Sequence, residues 1–133
     1  VHPASIEERL LAARDGADLV LALDDEGELG EEQMKVVLSP EGLLERINKQ
    51  LDPAGAAGEY MGVTLIEPHA AAPLAEALEA TWRRDPSLYY EDGFQEFVDR
   101  GGRVGAAGIG RVEWVEVDDH ADLARARELA CRC

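Results

Sequence analysis

Ala17-Asp18-Leu19-Val20-Leu21-Ala22-Leu23 is a nearly continuous apolar run bounded by acidic residues. A run of this length without alternation reads as a strand buried on both faces. In an α/β fold such a strand is usually parallel to its neighbours. Working outward, Ile6, Leu10, Leu11 and Ala13 recur at helical spacing, with Ser5 as N-cap and Gly16 as a stop. Residues 24–32 form an acidic loop containing glycine. Residues 34–38 read as a second strand. Ser39-Pro40-Glu41-Gly42 is a turn, because Pro presets φ and Gly permits positive φ. Residues 43–47 return as its antiparallel partner.

Further along, residues 52–58 are a loop, and residues 59–66 a third strand interrupted by Gly62. A glycine inside a strand often marks close approach by a ligand or another backbone. Residues 69–84 predict an Ala- and Leu-rich helix, with Pro73 in its first turn or dividing off a short lead-in. Residues 85–90 are a loop. A helix follows over 91–100 and stops at Gly101-Gly102. Residues 104–109 are small and apolar, consistent with a short strand. Residues 111–117 alternate strictly, as a strand does, and 119–132 close the chain as an amphipathic helix. Helices alternate with strands throughout, so the expected class is α/β with a mostly parallel sheet flanked by helices and one small antiparallel pair. Without internal repeats or a linker, residues 1–133 read as one α/β unit.

Composition narrows the function. The 133 residues carry 13 basic and 28 acidic side chains, a net charge of −15. Phosphate backbones and anionic membrane surfaces are repelled by such a chain, so neither nucleic acid nor membrane is an expected partner. No apolar run approaches the roughly 20 residues that span a bilayer. The sequence opens without a signal-peptide pattern, and its two cysteines, Cys131 and Cys133, sit together at the end. A cytoplasmic, reducing setting is therefore expected. His2, His69 and His120 lack ligand spacing, and with the cysteines they make no zinc pattern.

The candidate chemistry concentrates in Trp114-Val115-Glu116-Val117-Asp118-Asp119-His120-Ala121-Asp122-Leu123. Ligands of open α/β sheets bind at the carboxyl ends of strands, where Asp118 stands. A carboxylate there can hold Mg²⁺, which takes one or two carboxylates plus substrate phosphates. The competing reading is helix capping, which needs one of the two aspartates and leaves Asp118 as the spare. Lys49 near a loop and Glu59 at a strand start are, taken alone, ordinary solvated charges. Of the seven aromatics, Trp82 and Trp114 suit helix–sheet packing. Tyr60, Tyr89 and Tyr90 are better placed to cage a quaternary ammonium.

The Trp114, Glu116, Val117, Asp118 strand, followed by Asp122, Leu123 and Ala126, resembles the C-terminal signature of nucleotidyltransferases of the sugar-phosphate and phosphocholine cytidylyltransferase type. Upstream, Met34-Lys35-Val36, Ile47-Asn48-Lys49-Gln50-Leu51, Gly58-Glu59-Tyr60-Met61-Gly62 and Tyr89-Tyr90-Glu91-Asp92 resemble family segments in the right order. The resemblance covers nearly the whole chain. It implies a Rossmann-like sheet and the Mg-dependent transfer of a nucleotidyl group, CTP foremost, to a phosphorylated acceptor, with pyrophosphate leaving. The acceptor could be phosphocholine, a phosphonate, or an inositol or hexose phosphate. In that picture Lys49 contacts the acceptor phosphate and Asp118 holds metal. Glu59, Tyr60, Gly62, Tyr90, Glu91 and Asp92 line the acceptor pocket.

The family's Gly-rich loop with its Arg and Lys, and its first metal-binding Asp, have no counterpart in this sequence. The chain is thus expected to be the acceptor-side C-terminal part of a larger domain, inert by itself, pairing as a homodimer or with a missing N-terminal portion. The alternative is a non-catalytic acidic α/β module for binding or assembly.

Overall fold

The computed structural model describes residues 4–110, 115 and 117–132. Helix α1 (Ala4–Ala12) leads into β1 (Leu19–Asp24), and the hairpin strands β2 (Lys35–Leu38) and β3 (Leu44–Asn48) follow. Strand β4 is Gly58–Ile66, and helices α2 (Ala71–Arg84) and α3 (Glu91–Asp99) come after it. Strand β5 (Val104–Gly108) and helix α4 (His120–Arg132) complete the described elements. Short 3₁₀ turns at Pro53–Gly55 and Pro68–Ala70 precede β4 and α2. Pro73 lies in the first turn of α2, where its missing N–H breaks no helical bond. Ser5 lies inside α1 rather than at its N-cap. The strand expected over 111–117 lies almost wholly outside the described residues, as does Trp114.

The five strands form one sheet in the order β3-β2-β4-β1-β5. This corrects the mostly parallel sheet expected from the sequence. Among the described residues only β1 and β5 run parallel, while β1 with β4, β2 with β3 and β2 with β4 are antiparallel. The physical reason lies in what buries β1. Every residue of that strand is buried because both faces of the sheet are covered, whatever the direction of its neighbours. Leu19, Leu21 and Leu23 pack with Leu74 and Ala77 of α2 and with Phe94 and Phe97 of α3. Val20 and Ala22 face the other way and pack with Ile6 and Leu10 of α1. The result is a mixed sheet between two helical layers.

Trp82 also departs from expectation: it is 64% exposed. The buried stripe of α2 runs through Leu74, Ala77 and Thr81, and position 82 is turned about 100° away from the last of these.

Candidate functional site

A cleft of about 480 Å³ opens beside the carboxyl end of β1. Lys49, Glu59, Tyr60, Gly62, Tyr90 and Glu91 line it, so six of the eight site residues that the resemblance implies converge there. Glu32, Met34, Met61, Tyr89 and Val115 complete the wall. Asp92 and Asp118 are not part of this lining.

The shape of β4 aims the first group. Leu21 of β1 faces Thr64, but Leu23, two residues on, faces Tyr60. Two extra residues are therefore accommodated in β4, and Gly62 sits in the middle of that bulge at φ 77°. The positive φ explains the glycine, because a Cβ added there would meet nothing within 4 Å. Among the described residues no backbone crowds it, so close approach by another strand is not its reason, while its face towards the cleft stays open. Below the bulge, Tyr60 is buried, and its hydroxyl pairs with Thr64 Oγ1 at 2.7 Å. Its ring stands edge-on to Phe94 and Tyr90, with centroids 5.7 and 6.3 Å away. Tyr90 and Phe94 meet edge-on as well, at 5.7 Å. Tyr60 and Tyr90 thus line the cleft with the buried Phe94 ring packed behind them.

Lys49 follows β3 directly. Its Nζ lies 4.9 Å from the centroid of the Tyr89 ring and 3.6 Å from Glu32. Partial desolvation pulls the ammonium's pKa down, while Tyr89 and Glu32 outweigh it, so the net direction is up and the charge is retained. Lys49 thereby occupies one face of Tyr89. Asp92 acts one step back: its carboxylate accepts the Tyr89 N–H at 3.0 Å and so holds the chain entering α3.

Glu91 is the unsettled member. Its Oε2 is buried and has no hydrogen-bond partner among the described residues. Burial pushes its pKa up, opposed by hydrogen bonding from its own backbone N–H and from Tyr90. Desolvation also raises the pKa of both tyrosine hydroxyls beside it, so they stay protonated as donors. With Glu32 and Glu59, the lining carries three glutamates against one lysine.

Asp118 is exposed. Asp119 caps α4, accepting the Asp122 N–H at 2.8 Å, and Asp122 reaches back to the Asp118 N–H at 3.2 Å. Capping therefore uses the carboxylates of Asp119 and Asp122 and leaves that of Asp118 for another role. Among the described residues, no group of three or more His, Cys, Asp or Glu side chains could hold a metal ion. Asp118 thus fits a magnesium site only as one carboxylate, with the remaining ligands coming from substrate phosphates or from outside the described residues.

No family model and no curated protein matches the chain. A solved structure does. The inositol-1-phosphate CTP transferase from T. maritima superposes with a TM-score of 0.64 at 21% identity, covering 99% of this chain. The two proteins share a fold. This chain spans about half (51%) of the length of that neighbour. Among the described residues, no helix is long and apolar enough to cross a membrane.

Sequence reading missed several lining residues. Glu32 lies in an acidic loop with no distinguishing pattern. Met34 and Met61 flank singled-out residues without chemistry of their own. A signal did exist for Phe94, which packs behind the lining: it follows Tyr90 at helical spacing and so shares its face.

Proposed function

We propose that the cleft is the acceptor pocket of a nucleotidyl transfer reaction, with CTP as the leading donor and a phosphorylated small molecule as acceptor. The observation that carries the reading is the meeting, in one cleft, of a charged Lys49 and a buried Glu91 oxygen that has no partner among the described residues. A ligand with an anionic phosphate at one end and an ammonium or hydroxyl donor at the other would satisfy both. An aminoalkylphosphonate and a sugar or inositol phosphate have this form, whereas phosphocholine, whose trimethylammonium carries no N–H, would meet Glu91 by charge alone. The likeness of fold to a CTP transferase supports the same reading.

In the reaction, an acceptor phosphate oxygen attacks the α-phosphorus of the nucleotide. The bond to the bridging α–β oxygen breaks, and pyrophosphate leaves with the electron pair. Lys49 would neutralise and orient the attacking phosphate. Glu91, supported by Glu59, would take the donor end of the acceptor. The Tyr60, Tyr90 and Phe94 rings would exclude water from one side. Mg²⁺, when bound, supplies further neutralisation of phosphate charge, and Asp118 would be one of its ligands. The nucleotide's triphosphate grip would come from beyond these 133 residues, so the chain by itself is expected to turn nothing over.

Calorimetric titration tests the reading. Phosphocholine, inositol 1-phosphate and glucose 1-phosphate are each added to the chain, and CTP with Mg²⁺ separately. Binding of an acceptor that is lost in Lys49→Ala supports the proposal. Binding of none of the acceptors rejects it in favour of a non-catalytic module.

A further inference from the structure

The chain has two lysines, Lys35 and Lys49, and the fold joins them. Lys35 opens β2, opposite Asn48 of β3 and Glu59 of β4. It is 1% exposed and is the largest fully buried side chain among the described residues. Its Nζ donates to the carbonyl of Gln33 at 3.1 Å and to the carbonyl of Lys49. Among the described residues it makes no ion pair. A buried ammonium that the described residues meet with carbonyls alone is expensive to desolvate, and an apolar side chain of the same length would fill the volume without that cost.

What the ammonium adds is a tie between two segments. One runs into β2 and carries Glu32 and Met34, and the other leaves β3 at Lys49. Both end in the cleft wall, where Glu32 and Lys49 pair at 3.6 Å. With its carbonyl pinned from inside the sheet, Lys49 extends its side chain across Tyr89 into the cleft.

We propose that Lys35 is a positioning residue: its buried ammonium fixes the Lys49 peptide so that the Lys49 ammonium is held at the place of the acceptor phosphate. The proposal rests on the reading of the cleft as an acceptor site. Lys35 itself never meets the ligand. The charged and titratable groups that face Lys49 are Glu32, Tyr89 and Glu91. Their combined influence depends on where its Nζ is held.

Two lysines give two side-chain signals, so lysine-selective ¹³C labelling of the full chain resolves the matter by NMR. The Lys49 signal is followed through a pH titration and then through a titration with inorganic phosphate. In the native chain Lys49 is expected to titrate above free lysine. In Lys35→Met it should return to the ordinary lysine value, and the Kd for phosphate should rise at least fivefold. Leu10→Ala, which weakens the opposite layer, should leave both readings within twofold of native, separating position from general loss of stability. Should Lys35→Met fail to fold, Lys35→Leu, which also lacks a donor, gives the same two readings. An unchanged Lys49 titration and an unchanged Kd in the folded Lys35 variant overturn the proposal. Phosphate binding that is equal in the native chain and in Lys49→Ala overturns the acceptor reading of the cleft instead, and the titration alone then decides the positioning role.

Discussion

Replacing Glu91 by Gln should make the protein more stable at neutral pH. Its Oε2 is buried and has no partner among the described residues, and burial raises its pKa. For a carboxyl whose folded pKa lies above the unfolded one, stability is fully present below the unfolded value and is lost as pH rises through the folded value. At pH 7 the native side chain is therefore a net liability. An unsatisfied buried acceptor costs about 1–3 kcal/mol. Glu91 is only half buried, and glutamine still places a neutral polar atom there, so the low end applies. Glu91→Gln should gain about 1 kcal/mol at pH 7, or about 3–4 °C in Tm for a domain of this size. Below the ordinary glutamate value of 4.5 the native side chain is protonated in both states, and the gain should vanish. Urea unfolding of both proteins at pH 7 and pH 4 measures this, since every other group cancels in the difference. A variant that is less stable at pH 7, or a gain that persists at pH 4, refutes the reasoning. The same variant should bind a cationic acceptor more weakly, because it trades a stabilising change for loss of the charge that meets the ligand.

The Asp18 carboxylate accepts the Arg103 N–H at 2.9 Å and pairs with His69 Nε2 at 2.7 Å, and these contacts, the backbone one first, lower its pKa. Asp18→Ala should therefore destabilise by about 1–2 kcal/mol at pH 7 in urea unfolding, with the deficit shrinking as pH falls from 3.8 through the lowered value. Gly62→Ala should cost about 1–2 kcal/mol through its positive φ, and acceptor affinity measured by calorimetry should fall as the bulge shifts Tyr60 and Met61. Asp119→Ala should lose about 1 kcal/mol of cap energy by thermal unfolding. Asp118→Ala should stay within about 0.5 kcal/mol of native. Under the proposed reaction, with Asp118 as a magnesium ligand, the same change should abolish Mg-dependent turnover.

The element boundaries were legible because they are local. The β1 run, the Ser39–Gly42 turn and the stop at Gly101-Gly102 each depend on a few neighbouring residues. Strand direction was not, because burial of Leu19 to Leu23 on both faces reads the same beside parallel or antiparallel neighbours. Trp82 escaped because one residue of helical phase separates it from Thr81, and an Ala-rich helix leaves that phase poorly marked. Most of the cleft residues were singled out, yet they come from five separate stretches of chain, and nothing in their spacing shows that they converge. Lys35 was the least legible. A lysine in a strand ordinarily reads as solvent-facing, and only the fold brings the carbonyls of Gln33 and Lys49 within its reach.

The bulge in β4 has even parity. Three residues, 61 to 63, stand opposite Ala22 alone, so Tyr60 and Thr64 keep the same facing as Leu21 and Leu23. Met61, Val63 and Leu65 stay together on the α1 side. The strand is thus lengthened without its two rows of side chains exchanging layers. Inserting or deleting a single residue here would send Tyr60 into the wrong layer and the row of Met61 and Val63 out of theirs. A change of two residues preserves both rows. Length variation in this strand among related sequences should therefore come in pairs, like a reading frame with a period of two.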